Sequence, residues 1–212
     1  MEPTLLITSF VTIFVIVDPI GLTPIFFSLT QDLSTIERRV VARRSVLIAS
    51  IILLLFAVFG EMILTFIGIS MPAFSVAGGI LLFLTALEML FQRRKQRREA
   101  HGGGTLGSHN DPSVFPLAVP LISGPGSIAS VILLSQTHVG LLGVLELTFI
   151  IFATMLATYL FFSATTYFNK YLSPTLVDVV TRVLGMLLAA LATQFIMDGI
   201  HSFGRLQADF LH

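Results

Sequence analysis

Six long apolar segments restrict the folds that this chain can adopt. A helix needs about 20 mostly apolar residues to cross a bilayer. The segments run over residues 5–30, 41–67, 73–91, 114–134, 141–168 and 177–200. Only 11% of the 212 residues are charged, whereas a soluble domain carries about 25%. The sequence therefore predicts an all-α membrane protein with six transmembrane helices.

The first and fourth of these segments contain residues that interrupt a helix. Asp18 and Pro19 are followed by Gly21 and Pro24, and the fourth segment contains the run 123–126, Ser-Gly-Pro-Gly. Proline lacks the N–H that a continuing helix needs and crowds the preceding turn, while glycine frees the backbone. We therefore expect the first and fourth helices to be broken within the membrane.

The two halves of the chain resemble each other. The motif at 76–84 is similar to that at 183–191, and nearly the same offset separates Pro19 from Pro125. Because each copy holds three spans, the second copy enters from the opposite face, as in the inverted repeats of many secondary transporters. The prediction is a first three-helix repeat over 1–91 and a second over 113–212. A basic, glycine-rich linker, 92–112, joins them.

The basic residues indicate the orientation. If all six segments cross, the basic residues gather on one side except for Arg205. Basic loops mark the cytoplasmic side, which puts both termini in the periplasm. If the broken segments instead dip in and return, both termini move inside, and this alternative stays open. The linker is most simply a determinant of topology, with binding to anionic lipid as a second reading.

The paired breaks predict a binding site. The helix ends after Pro19 and Pro125 expose N–H groups and partial positive charge, which suit a carboxylate. The carbonyls before each break suit an ammonium group or a cation. Two kinks packed against neighbouring helices are the simpler alternative. The candidate substrate-binding residues are Asp18, Pro19, Gly21, Thr23, Ser123, Gly124, Pro125, Gly126, Ser127 and Gln194.

Asp18 has two compatible interpretations. A lone carboxylate at mid-depth costs about 3 kcal/mol or more, so it can serve as a ligand for ammonium or as a proton carrier. Aspartate directly before proline is also a typical helix N-cap. Glu88 and Glu146 lie near the ends of their segments, where an interface position is expected.

Other functional classes find little support in the sequence. The net charge is +0 and cysteine is absent, which gives no indication of nucleic-acid binding or of cysteine metal sites. No histidine is paired at ligand spacing within a span, and no nucleotide-binding motif occurs. We expect no metal, no cofactor and no enzymatic activity, and any transport to be facilitative or gradient-driven.

Several motifs resemble the MarC family, also called SnatA or UPF0056, of bacterial inner-membrane proteins. These motifs are 18–21 with 24–26, 78–84, 116–121 with 124–125, 182–185, 193–194 and 198–199. The resemblance implies a six-span member of the LysE-like transporter superfamily that moves small neutral amino acids such as alanine, glycine, serine or threonine. Leu22 departs from the family pattern, in which asparagine commonly follows the glycine.

The resulting hypothesis is a transporter or exporter of small neutral amino acids in the inner membrane, with a midplane site at the broken helices. Coupling to H⁺ or Na⁺ and assembly into a homo-oligomer are left open. A channel and a non-transporting membrane protein that modulates an envelope or stress response are the alternatives.

Overall fold

The computed structural model describes residues 3–91, 111–168 and 174–209, and the regular elements in these ranges are helices. They are α1 (Pro3–Val17), α2 (Pro19–Leu29), α3 (Thr35–Ile67), α4 (Met71–Leu90), α5 (Ser113–Ile122), α6 (Pro125–Ser135), α7 (Gly140–Phe168) and α8 (Pro174–Asp209). The predicted all-α class is confirmed. Of the predicted linker, residues 92–110 lie outside the described residues.

Five helical spans are long and apolar enough to cross a membrane. One is the combined α1 and α2, a run of 27 residues, and the others lie in α3, α4, α7 and α8. Helices α5 and α6 meet at an angle of 54° and give a sixth span if they cross together. The broken first and fourth segments are thus observed where the sequence predicted them.

Local signals set the helix boundaries on the side where α2 ends and α3 begins. Ser34 and Glu37 form a reciprocal capping box at the start of α3. The Arg38 guanidinium donates to the Thr30 carbonyl, 3.0 Å away, where α2 ends. Helix α3 therefore begins well before the apolar run that predicted it, and Arg38 lies in its first turns rather than in a loop.

Glycines bring α4 and α8 into close contact. A Cβ atom on Gly79 would lie 2.8 Å from the Ala192 carbonyl oxygen, and one on Gly199 would lie 2.9 Å from the Val76 side chain. Small residues allow such close approach of membrane helices. Because Gly79 faces Ala192 while Val76 faces Gly199, the two helices run antiparallel. An inverted repeat requires this arrangement, although the repeat itself stays a prediction.

The remaining helices pack reciprocally between the halves. Helices α1 and α2 pack on α7, and α5 and α6 pack on α3. Phe26 of α2 stacks on Phe162 of α7 with ring centroids 4.3 Å apart. Large apolar side chains also cover the outside, where Phe66 is 92% exposed. An apolar exterior of this kind suits a helix bundle surrounded by lipid.

Candidate substrate-binding site

Asp18 forms the first break. Its backbone is left-handed, with φ 54° and ψ 62°, and its side chain is 1% exposed. The Asp18 N–H still donates to the Phe14 carbonyl, 2.9 Å away, and Oδ1 accepts from the Gly21 N–H at 3.0 Å. Asp18 therefore caps α2, with Pro19 in the first turn, which is one of the two roles that its sequence context predicted.

The neighbours of Asp18 are fitted to this cap. A Cβ atom at Gly21 would collide with the Asp18 carboxylate, so a glycine is needed there. Thr23 is buried, and its hydroxyl donates to the Pro19 carbonyl at 2.7 Å. Such a bond within one helix is the usual role of a membrane threonine. The first break is therefore closely packed and internally bonded.

The second break is more irregular than the sequence predicted. Phe115 and Val119 inside α5 have extended backbones, with φ near −124° and −129°. Each precedes a proline, whose ring disfavours the helical conformation in the residue before it. Together with the interruption at Ser123 and Gly124, the chain leaves helical geometry three times before α6 begins.

The two serines at the second break bond to their own chain. The Ser123 hydroxyl donates to the Ala118 carbonyl at 2.7 Å, and the Ser127 hydroxyl donates to the Ile122 carbonyl at 2.8 Å. Gly124 occupies the N-cap position of α6, where it offers no side chain to accept from the first turn. The N-terminus of α6 thus lacks the side-chain cap that Asp18 provides to α2.

A cavity of about 550 Å³ ends at this N-terminus. We call it the linker-side cavity, because Leu29, Glu88 and Phe115 place it near the helix ends that flank the linker. Its lining includes Gly124, Pro125, Gly126 and Ser127 from the second break, Ile16 and Ile25 from the first broken span, and Leu81, Leu84, Thr85 and Glu88 from α4.

A second cavity, of about 450 Å³, lies across the second break. We call it the far-side cavity, because it reaches Leu64 at the end of α3 and Phe74 at the start of α4. Leu81, Pro120 and Pro125 line both cavities. We call these three shared residues the wall, because the two linings meet at them beside the second break.

The structure divides the predicted site residues into three groups. Those of the second break lie at the cavities, with Ser123 in the far-side lining and Gly124 to Ser127 chiefly in the linker-side lining. Asp18, Pro19, Gly21 and Thr23 line neither cavity. Gln194 is exposed on α8, where its amide donates to the Asp198 carboxylate at 2.8 Å.

Sequence reasoning missed the polar residues that α4 contributes. Thr85 and Glu88 are three residues apart, so they share a helix face, and both line the linker-side cavity. The Thr85 hydroxyl lies 3.6 Å from the position of a Cβ at Gly126, next to the start of α6. Glu88 was expected at the interface from its depth alone. The i, i+3 spacing with Thr85 was the signal that could have identified this face.

The structure also brings together Ser9, His138 and Glu146. His138 Nε2 lies 3.0 Å from Ser9 Oγ, and its Nδ1 lies 3.1 Å from Glu146 Oε2. Glu146 was predicted from its depth to occupy an interface position, and its side chain is 15% exposed. Ser9 and His138 are 129 residues apart in the chain, so no local spacing could reveal the cluster.

Outside the spans, Asp111 ties the start of α5 to α3. Its carboxylate accepts from the Ser113 hydroxyl at 2.7 Å and from Arg44 at 3.1 Å. Hydrogen bonds from the Ser113 side chain and backbone, with a smaller effect of Arg44, lower the pKa of Asp111. Within 3–91, 111–168 and 174–209, no group of three or more His, Asp or Glu residues could hold a metal ion.

Apolar helices, a broken span and two opposed cavities define a multi-pass integral membrane protein. Residues 4–203 match the family described as MarC family integral membrane protein. The chain therefore belongs to the MarC family, as its motifs indicated. No solved structure was found to match it.

Relatives of similar length carry corresponding names. A UPF0056 membrane protein of Aquifex aeolicus is 34% identical over 197 residues, covering 92% of each chain. The Bacillus subtilis UPF0056 membrane protein YvbG is 35% identical, covering 90% of this chain and 92% of that protein. The Escherichia coli UPF0056 inner membrane protein YhgN is 33% identical, covering 92% of this chain and 95% of that protein.

Proposed function

We propose that this protein transports small neutral amino acids across the bacterial inner membrane, with the substrate bound at the second break. Transport would be facilitative or driven by an ion gradient. The side that carries most of the basic residues would be cytoplasmic, following the positive-inside rule.

The difference between the two breaks supports this assignment most strongly. At α2 the Gly21 N–H in the first turn donates to a carboxylate of the chain itself, that of Asp18. At α6 no side chain of the described residues caps the helix, and Gly126 and Ser127 of its first turn line the linker-side cavity. A helix N-terminus attracts anions through its free N–H groups and its dipole. The carboxylate of a substrate would therefore bind at α6 in the way that Asp18 binds at α2.

The same cavity offers groups for the ammonium end of an amino acid. The Thr85 hydroxyl donates to the Leu81 carbonyl at 2.9 Å and retains lone pairs for a second partner. Glu88 lies one turn further toward the linker and brings negative charge to the cavity. In this proposal Thr85 and Glu88 take the ammonium-binding role that the sequence suggested for Asp18, which lines neither cavity.

The wall between the cavities favours a transporter over an open channel. In this proposal Leu81, Pro120 and Pro125, which line both cavities, keep the linker-side cavity apart from the far-side cavity. A substrate bound at α6 would then be exposed to one side at a time. This is the alternating access expected of a secondary transporter with a site at a broken helix.

Alanine counterflow in proteoliposomes tests the proposal. Wild-type protein should show saturable exchange of labelled alanine. Gly126→Leu should reduce exchange to background, because a Cβ at Gly126 would already lie 3.3 Å from Leu82 and a longer side chain would fill the site. Gly204→Leu is the matched control, since a Cβ at Gly204 meets nothing within 4 Å.

The outcomes separate the candidate functions. Flux that never saturates would indicate a channel, and no flux of any small neutral amino acid would indicate a non-transporting protein. Normal exchange by Gly126→Leu would remove the α6 N-terminus from the site.

A further inference from the structure

A buried hydroxyl–imidazole–carboxylate chain joins the two halves of the protein on the far side. Ser9 belongs to α1, His138 lies between α6 and α7, and Glu146 lies in α7. The His138 side chain is 0% exposed, and Ser9 is 0% exposed as a residue. The backbone N–H of His138 also donates to the Leu134 carbonyl at 3.2 Å, which anchors the backbone of this residue to the end of α6.

These three side chains satisfy the imidazole in both of its protonation states. In the neutral form, Nδ1–H donates to Glu146 and Nε2 accepts from the Ser9 hydroxyl. In the protonated form, Nε2–H donates to Ser9 Oγ, because a hydroxyl is both donor and acceptor. The Ser9 hydroxyl hydrogen then turns to a carbonyl of its own helix, as membrane serines commonly do. One proton is gained and both contacts of the ring are kept.

Among the residues that the structure describes, few other ionisable groups face this imidazole. Helices α1 and α6 contain no charged residue, and Glu146 is the only charged residue of α7. Glu61 at the outer part of α3 accepts from the Gln136 amide at 3.0 Å, two residues before His138. At the far end of α8, Asp198 accepts from Gln194, and His201 and Arg205 are exposed. Glu146 is thus the charge in direct contact with the ring.

We infer that Ser9, His138 and Glu146 form a proton-binding site that controls opening of the far-side cavity. Imidazole is the side chain whose ordinary titration falls between pH 5 and 8. A proton converts the neutral contacts into charge-assisted hydrogen bonds, which are roughly twice as strong. These bonds hold α1 against the end of α6, and α6 lines the far-side cavity at Ile128, Ala129 and Ile132. The protonated site therefore holds the end of α6 more firmly against α1 and keeps the far side closed, whereas loss of the proton weakens this hold and favours opening.

A role of this site in transport rests on the proposed function. Proton binding by the site and closure of the far-side cavity do not. A substrate-free test is available, because the chain contains no cysteine. Ala129→Cys places a single thiol in the lining of the far-side cavity. Its reaction rate with a membrane-impermeant methanethiosulfonate reagent, added from the far side, reports opening. His138→Gln in the same background keeps a hydrogen-bonding side chain that does not titrate in this range.

The ratio of the two rates removes the pH dependence of the thiol itself. At pH 8 the His138→Gln and parent proteins should react at similar rates. At pH 5.5 the parent should react about tenfold more slowly, given the strengthening of the two bonds to the ring. An unchanged ratio at the two pH values would overturn the inference. His201→Gln, an exposed histidine near the same end of the bundle, should leave the ratio near one at both pH values.

A second variant guards against loss of folding in His138→Gln. Ser9→Ala removes the hydroxyl that accepts the hydrogen bond from the protonated Nε2 of His138, while it keeps the contact between His138 and Glu146. It should therefore also lose the slow labelling at pH 5.5. Retention of that slow labelling in Ser9→Ala would contradict the proposed geometry. Alanine counterflow measured in parallel distinguishes the two proposals: its absence overturns transport, whereas the labelling ratio alone decides the proton site.

Discussion

Substitution of Asp18 separates its structural role from a role in transport. Asparagine retains a side-chain oxygen that can accept from the Gly21 N–H, and it tolerates the left-handed backbone observed at position 18. Alanine loses both. Loss of an N-cap costs about 1 kcal/mol. A left-handed residue other than glycine costs about 1–2 kcal/mol, and aspartate already bears part of this cost in the wild type. We therefore expect Asp18→Ala to destabilise the protein by about 1–2 kcal/mol and Asp18→Asn to change stability little.

Thermal unfolding in detergent and alanine counterflow measure the two consequences. At roughly 2–4 °C per kcal/mol for a chain of this size, Asp18→Ala should melt about 2–8 °C lower than wild type. Because Asp18 lines neither cavity, Asp18→Asn should transport at close to the wild-type rate. If Asp18→Asn melts normally but transports poorly, the carboxylate takes part in the transport cycle. If Asp18→Ala melts like wild type, the capping argument is wrong.

Three further predictions concern other parts of the molecule. Gly79→Ala should lower stability by about 1–3 kcal/mol, as overpacking does, since its Cβ would lie 2.8 Å from the Ala192 carbonyl; Gly204→Ala should not, and thermal unfolding compares them. Single cysteines at Thr85 and Ala129 should react with impermeant reagents from opposite sides of the membrane, and reaction of both from one side would refute the wall. Asp111→Asn should be less stable than wild type at neutral pH. The pKa of Asp111 is lower in the folded protein than in the unfolded one. Its contribution to the free energy of unfolding is therefore complete above the unfolded pKa and is lost as the pH falls through the folded pKa. The stabilities of Asp111→Asn and wild type should converge as the pH falls below about 4.

The sequence predicted what depends on local chemistry. Proline and glycine interrupt a helix wherever they occur, so the breaks near Pro19 and Pro125 follow from the residues themselves. The extended backbones of Phe115 and Val119 follow from the same rule, since each precedes a proline. The prediction of one break in this segment was incomplete because only the Ser-Gly-Pro-Gly run was considered.

Contacts between distant segments could not be predicted in the same way. The spacing of Gln194 and Asp198 correctly placed them on one face of α8, but it did not reveal that this face points outward. Glu88 was judged by depth, which does not distinguish the lipid-facing side of a helix from the cavity side. His138 appears isolated in the sequence, and its partner Ser9 becomes visible only when α1 is packed against the second half.

The glycine contact between α4 and α8 has a consequence for how the wall can move. Helix α4 carries Leu81 of the wall and packs closely against α8, with no room for a side chain at Gly79 or Gly199. Movement of α4 toward α8 would meet main-chain atoms. The other part of the wall, Pro120 and Pro125, belongs to the irregular α5 and to the start of α6. In the proposed transport cycle we therefore expect α4 to stay in place against α8 and the proline-rich segment opposite it to move.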